Sequence, residues 1–303
     1  MKLVWKKLWR QKRVRFALLA IGLLIFAALF APLLSPYDPL AVSLAERFAP
    51  AGSAHWLGCD HLGRDLATRL LYGARTSLYS VMLIILGVLG VGLLVGALSG
   101  YYGGVTDNVL MRICDFFLTF PTFILAMFLI GLFGTGLTNV IIAITLTHWA
   151  WYARIVRSLV LSLRKQPYIL AAHVSGSSNL QILGRHILPP VLAQLAILST
   201  LDIGHMMMHV SGLSFLGLGI TPPQPEWGVM IADAREFIWG HSLLLAYPGA
   251  AILLTVLSFN LLGEALRDSL DPSLSTLDSA FAEESVGGLE PQEEQLAEVV
   301  NDN

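Results

Sequence analysis

The amino-acid sequence predicts an all-α, polytopic membrane protein with about six transmembrane helices. Three observations carry that expectation: 55% of the 303 residues are hydrophobic, only 13% are charged, and long apolar runs recur along the chain at a mean hydropathy of +0.68. An ordinary soluble domain carries roughly 25% charged residues. Here 19 Lys+Arg and 21 Asp+Glu, partly clustered at the two ends, do not furnish a water-facing surface for a chain of this length.

A spanning helix needs roughly 20 mostly apolar residues, because it rises about 1.5 Å per residue across a hydrocarbon core of about 30 Å. The first such run, Phe16 to Leu34, exceeds the roughly 7–15 residues of a signal-peptide core and reads as a retained anchor. Further spans are placed at Leu78 to Leu98, Val109 to Leu132, Val140 to Tyr152 with a basic amphipathic extension, Val191 to Val210, and Leu245 to Leu262. Gly92, Gly96 and Gly100, four residues apart in the second span, admit the close approach of another helix, with a partner subunit as one candidate.

Charge sets the orientation. Lys2, Lys6, Lys7, Arg10, Lys12, Arg13 and Arg15 open the chain, and basic residues are retained on the cytoplasmic side during insertion. Six crossings return the carboxyl end to the same side, so both termini are expected in the cytoplasm. The outer segments then keep Arg47, Arg64, Arg69, Arg75 and Arg235, and every other basic residue falls inside. These readings divide the chain into a basic cytoplasmic N-terminus at 1–15, a first transmembrane helix at 16–34, an extracytoplasmic loop at 35–77, and a transmembrane core at 78–265. That core holds a cytoplasmic loop at 154–190 and an extracytoplasmic loop at 211–242. The acidic tail at 266–303 carries too little apolar surface to fold. Cys59 lies outside the membrane and Cys114 within a helix, so no disulfide, redox or zinc site is expected from them.

The cytoplasmic loop has a defined shape in the sequence. Tyr168 to Pro190 reads as two short helices joined at Gly176, where glycine permits a sharp turn and Ser177, Ser178 or Asn179 can cap the second helix. Ala171 and Ala172 present a small, smooth surface suited to another protein's groove, and Pro189 with Pro190 is expected to stop the helix before the next span. The Ala-Ala-x-x-x-Gly spacing followed by Ile-Leu-Pro resembles the coupling loop of binding-protein-dependent ABC import permeases. On that resemblance Leu170, Ala171, Ala172, Gly176, Ser177, Gly184, His186 and Pro189 form the coupling contact with an ATPase. The family usually opens this motif with Glu. Leu170 removes that polar contact and leaves the small residues and the hinge in place.

A second resemblance narrows the family. His55-Trp-Leu-Gly-Cys-Asp-His-Leu-Gly-Arg-Asp-Leu-Ala-Thr-Arg69, Leu213-Ser-Phe-Leu-Gly-Leu-Gly219 and Trp227-Gly228 are similar to the dipeptide, oligopeptide and nickel permeases, over nearly the whole chain to about Pro272. In the first block Asp60, Arg64, Asp65 and Arg69 can pair as a solvated network that orders an outer loop. The stretches Gly134 to Ile144, His148 to Arg154 and Leu201 to Val210 look most like the second permease subunit of nickel importers.

The last of these stretches holds the candidate pathway. Asp202, His205, Met206 and His209 fall at i, i+3, i+4 and i+7, hence on one helix face. An Asp at mid-bilayer costs about 2.5–3.5 kcal/mol on the insertion scale, so such groups face a bundle interior or a pore. Imidazole suits Ni²⁺, Cu²⁺ and Zn²⁺ and thioether adds a softer donor. This nominates Asp202, His205 and His209 as transient metal contacts along a translocation pathway, with Met206 beside them. A competing reading pairs Asp202 with His205 or a neighbouring helix for packing alone. His148, beside Trp149, Trp151 and Tyr152, reads as a membrane-interface residue, and Asp115 either pairs with Arg112 or faces the pore.

No nucleotide-binding loop, zinc-protease or nucleophile-elbow motif occurs, so the chain is expected to be a non-catalytic permease with no cofactor of its own. The resemblance implies a type I ABC importer permease fold in the cell inner membrane. It also implies a homologous second permease as heterodimer partner, two cytoplasmic ATPase subunits that bind ATP and Mg, an extracytoplasmic substrate-binding protein, surrounding lipid and no nucleic acid. The cargo so implied is nickel ion or a small nickel chelate moved by alternating access. Import of di- or oligopeptides is the alternative.

Overall fold

Every regular element among the described residues is helical in the computed structural model, which describes residues 11–270. The expectations for Lys2, Lys6, Lys7 and Arg10 and for the acidic tail beyond Leu270 lie outside those residues. In chain order the helices are α1 (Lys12–Leu34), α2 (Leu66–Tyr102), α3 (Gly104–Thr119), α4 (Thr122–Phe133), α5 (Leu137–Arg164), α6 (Pro167–Val174), α7 (Asn179–Ile182), α8 (Leu188–Phe215), α9 (Trp227–Ala234) and α10 (Leu243–Leu270). By length and composition four stretches can cross a membrane, or five if the bent pair α3 and α4 counts as one. The remaining expected span, α5, has 28 residues but carries His148, Arg154 and Arg157.

Several boundaries move, each for a local reason. The segment after α1 ends at Asp65 rather than residue 77, because the Asp65 carboxylate caps α2 by accepting the Thr68 backbone N–H at 2.7 Å. The helix at 109–132 is not continuous. Phe120 is extended (φ −96°, ψ 139°), as the ring of Pro121 requires of the residue before it, and α3 and α4 diverge by 88°. Pro189 and Pro190 do not stop a helix. They sit in the first turn of α8, where a missing N–H costs little. A π turn at Leu183–Ile187 carries α7 into α8, with the Leu188 N–H donating to the Leu183 carbonyl, so Asn179–Phe215 is one 37-residue stretch. At the other end α10 continues to Leu270, past the expected start of the tail at 266.

The seam between α2 and α5 organises the bundle. The two helices run parallel: Gly92 lies against Tyr152 and Ala153, Gly96 against Ala153 and Val156, and Gly100 against Arg157 and Val160. The glycine repeat therefore serves a contact within the chain. A Cβ added at Gly96 would stand 2.6 Å from the Val156 Cβ and closer still to the Ala153 carbonyl oxygen. Around this seam α1 packs on α2 and α10, α8 packs on α2, α5 and α10, and α4 packs on α5.

At the end of the bundle opposite Gly176, residues 35–65 fold over the start of α2. Their charges are buried rather than solvated, which corrects the expectation of a loop-ordering surface network. Arg64 and Arg69 are 2% and 1% exposed. The Asp60 carboxylate accepts the Arg64 Nε–H at 2.7 Å and lies 3.4 Å from Arg69 Nε, while Arg64 also reaches Asp233 near the end of α9 at 3.2 Å. Asp65 caps α2 and holds His55 Nδ1 at 2.8 Å instead of pairing with an arginine. Hydrogen bonding to the Asp65 carboxylate raises the His55 pKa from its ordinary 6.5; burial opposes this and Glu46 adds to the rise.

Two outcomes follow. Gly96→Leu is expected to destabilise the purified protein by about 1–3 kcal/mol, an overpacking cost, read as a lower thermal unfolding temperature, while Gly90→Leu, with open space around it, leaves that temperature unchanged. A raised histidine pKa means that its stabilising contribution is complete below the unfolded value and lost as pH rises through the folded one. Proteolysis within residues 35–65 of the detergent-solubilised protein is thus expected to be slower at about pH 6 than at about pH 8, and His55→Ala to abolish the difference.

Candidate functional site

Titratable groups at membrane depth face other protein or water. Their exposure in the single chain therefore marks where a pathway or partner lies. Helical steps of about 100° per residue spread Asp202, His205, Met206 and His209 over an arc of about 100°, and the edge of the packed bundle falls inside that arc. Asp202 and Met206 are buried at 5% and 0% exposure, whereas the His205 side chain is 78% exposed and Met208, one step off the expected face, is 59% exposed. The four residues share the arc expected of them, and along it the packing buries Asp202 and Met206 and leaves His205 open.

The metal trio also separates. The Asp202 carboxylate is already occupied: Oδ2 lies 3.0 Å from His148 Nε2 and accepts the Tyr152 hydroxyl at 3.1 Å, and Oδ1 lies 3.4 Å from His205 Nδ1. His209 Nδ1 donates to the His205 carbonyl oxygen at 2.8 Å. Among the described residues no three His, Cys, Asp or Glu groups converge as a metal-binding set. Asp202 instead ties α8 to α5, which supports the competing packing reading for that residue. His148 faces Asp202 as part of the same cluster and stacks on Trp151, and so is not solely an interface residue.

Sequence reasoning missed this pairing, although a signal was present. His148 and Tyr152 stand four residues apart on α5, one above the other, and a buried Asp on a neighbouring span calls for such donors. Trp151 and Arg154 of the same helix are both exposed, and Arg154 pairs with Asp115 of α3 rather than Asp115 pairing with Arg112. Asp107 of α3 takes Arg157 in a bidentate pair at 2.5 and 2.6 Å. Glu226 was also missed: it is fully buried and accepts the Ser77 hydroxyl at 3.0 Å and the Val229 N–H at 3.0 Å.

The loop expected to couple to an ATPase has the anticipated form at its first half. Gly176 turns with φ +82°, a conformation that L side chains adopt only under strain, and Ser178 caps α7 in a reciprocal box with Gln181. Ile169, Ile182 and Ile187 are fully buried and seat the loop on the bundle, and the Tyr101 hydroxyl donates to Asn179 Oδ1 at 3.0 Å. Outward stand Leu170, Val174 and Leu180 at 57%, 90% and 75% exposure, with Ala171 and Gly184 also exposed, Ala172, Ser177 and His186 half-buried and Pro189 at the surface.

With this geometry in hand, comparison with known proteins is specific. Residues 92–276 match the family described as the binding-protein-dependent transport system inner membrane component, and residues 1–51 match the N-terminal TM domain of oligopeptide transport permease C. The chain is similar to the nickel transport system permease protein NikC of Escherichia coli K12, at 53% identity over 263 residues that cover 87% of this chain and 95% of the relative. It is 40% identical to the metal-staphylopine import system permease protein CntC of Staphylococcus aureus Mu50, covering 91% and 96%. It is 39% identical to the dipeptide transport system permease protein DppC of Alkalihalophilus pseudofirmus, covering 90% of each.

The division of the α8 face can be checked by chemical labelling. Single cysteines at positions 205 and 208 are expected to react with a membrane-impermeant maleimide, and one at 206 to resist it. Native Cys59 and Cys114 are 3% and 0% exposed and leave a low background. Equal labelling at 205 and 206 would refute the division.

Proposed function

The chain belongs to the family of binding-protein-dependent transport system inner membrane components, and from that premise we propose that it forms one half of the translocation pathway of an ATP-driven importer of nickel, carried as the ion or a small chelate. It is a multi-pass inner-membrane permease and not an enzyme. The observation that carries the nickel reading is the exposure of an imidazole and a thioether, His205 and Met208, on a span of a chain 53% identical to a protein named for nickel transport. Separated, incomplete donors suit a pathway, because a permeant must leave as well as enter.

The assembly proposed has a second, homologous permease, two cytoplasmic ATPase subunits that hold ATP and Mg, and a substrate-binding protein on the outer side, with both termini of this chain inside. The exposed apolar residues Leu170, Val174 and Leu180 around the Gly176 turn would enter a groove of the ATPase. Because Asn179–Phe215 is one helical stretch, a displacement at the loop reaches Asp202 along about 35 Å of continuous helix. Alternating access would then follow from ATPase closure moving α6 and α7, and with them the exposed face of α8.

Peptide import is the second reading, favoured by the dipeptide-named relative at 39% identity. Radiolabelled nickel supplied with and without histidine to proteoliposomes bearing the whole complex, with a dipeptide as competitor, separates the two. The expected result is ATP-dependent nickel accumulation that the dipeptide does not reduce. Dipeptide accumulation without nickel would establish the second reading instead.

A further inference from the structure

Three imidazoles lie along the α5–α8 contact: His148 and His209 each have one nitrogen committed to a hydrogen bond, and His205 has its Nδ1 turned to the Asp202 carboxylate at ion-pair distance. A carboxylate accepts hydrogen bonds and does not donate them, so the 3.0 Å contact between Asp202 Oδ2 and His148 Nε2 places the His148 proton on Nε2. The negative Asp202 Oδ1, 3.4 Å from His205 Nδ1, favours the proton there. At His209 the partner of Nδ1 is the His205 carbonyl oxygen at 2.8 Å, again an acceptor, so Nδ1 carries the proton. The opposite nitrogens, Nδ1 of His148 and Nε2 of His205 and His209, have no hydrogen-bond partner among the described residues.

We propose that Asp202 is a positioning residue of the permeation pathway: from its buried place between α5 and α8 it fixes the tautomers of His148 and His205, so that their uncommitted nitrogens, with that of His209, present lone pairs to a passing metal cargo. The proposal deepens the nickel reading and rests on it. Four features support it together. Asp202 is buried with both oxygens engaged, so it is not itself a free ligand. His205 is 78% exposed, so its free nitrogen is accessible. The Tyr152 hydroxyl, donating to the same Oδ2 at 3.1 Å, holds the carboxylate in orientation. A carboxylate behind a histidine raises the basicity of the ring and fixes its rotation, which is the role of such partners at metal-binding histidines generally.

The arrangement also explains why the three rings do not form a closed site. His205 and His209 are four residues apart, about 6 Å of helical rise, and His148 lies on the other helix. Each ring offers one donor, and a cargo can pass from one to the next without being held by all three. Exposed Met208, next to His209 in sequence, adds a soft donor at the same level.

The test uses the complete complex in proteoliposomes and reads nickel moved per ATP hydrolysed. Asp202→Asn keeps the size of the side chain but offers an amide N–H₂ to one of the two rings, forcing it into the other tautomer. Nickel moved per ATP is expected to fall about 10–100-fold, the usual cost of losing such a partner. His205→Ala, at an exposed position that packs little, is expected to give a loss of the same order, and the double variant no further loss. Nitrogen-15 spectra of histidine-labelled wild-type complex are expected to show an unprotonated Nε2 at His205, assigned by its absence in His205→Ala and altered in Asp202→Asn. An unchanged ratio in either single variant would overturn the proposal, as would a loss of uptake strictly in proportion to ATP hydrolysis in Asp202→Asn with the His205 signal unmoved. A wild-type complex that hydrolyses ATP but moves no nickel would instead overturn the nickel reading, and this proposal with it.

Discussion

The parallel seam between α2 and α5 is the contact on which the remainder of the bundle depends. In a bilayer the apolar faces of two helices gain little by leaving lipid, so association rests on close packing and on hydrogen bonds between spans. Gly92, Gly96 and Gly100 supply the first, by letting the α5 backbone lie directly on α2. The register of that seam fixes which way α5 faces. A shift of one residue would rotate the helix by about 100° and carry His148 and Tyr152 away from Asp202. The glycines thus determine, at a distance, that a buried carboxylate on α8 finds its donors.

Polar groups inside the molecule follow one rule, and their exposure separates two uses. Where they are buried they are paired, Arg69 Nη2 excepted: Asp202 with His148 and Tyr152, Glu226 with Ser77 and the start of α9, Asp60 with Arg64 and Arg69, and Arg64 also with half-buried Asp233. These pairs cross between distant parts of the chain and give the bundle a single arrangement. Removing one partner of a buried ion pair costs about 3–5 kcal/mol because the other charge is left uncompensated. Where polar groups on the spans are exposed, as at His205 and at the Arg154–Asp115 pair, lipid is an unsuitable neighbour, and a water-filled path or a second subunit is the environment that accommodates them.

The continuity of α7 and α8 joins the two ends of the functional argument. A loop that ends in a helix break would move independently of the span after it. Here the π turn at Leu183–Ile187 carries the helix past Pro189 and Pro190, which donate no backbone N–H, so α7 and the exposed face at His205 belong to one helical stretch, Asn179–Phe215. The buried Ile182 and Ile187 seat that stretch on the bundle and Ile169 seats α6 beside it, while the exposed residues Leu170, Val174 and Leu180 remain available to a partner.

The sequence by itself determined the class of the protein, the order of its main apolar stretches, the Gly176 turn with a capping residue at 177–179, and the residue types on which metal chemistry rests. These are local properties: hydropathy over about 20 residues, a glycine followed by a capping serine, a helical spacing of three and four. Only the tertiary structure decided that α3 and α4 diverge at Pro121, that Pro189 and Pro190 continue a helix, that the glycine repeat is spent on α5, and that Asp60, Arg64 and Arg69 are buried with Asp233. It also decided the fate of the candidate pathway face. Periodicity places Asp202, His205, Met206 and His209 on one arc of α8, but where along that arc burial ends depends on how closely α5 approaches. That distance is set by packing between residues some 50 positions apart in the chain, such as His148 and Asp202, and a helical period carries no record of it.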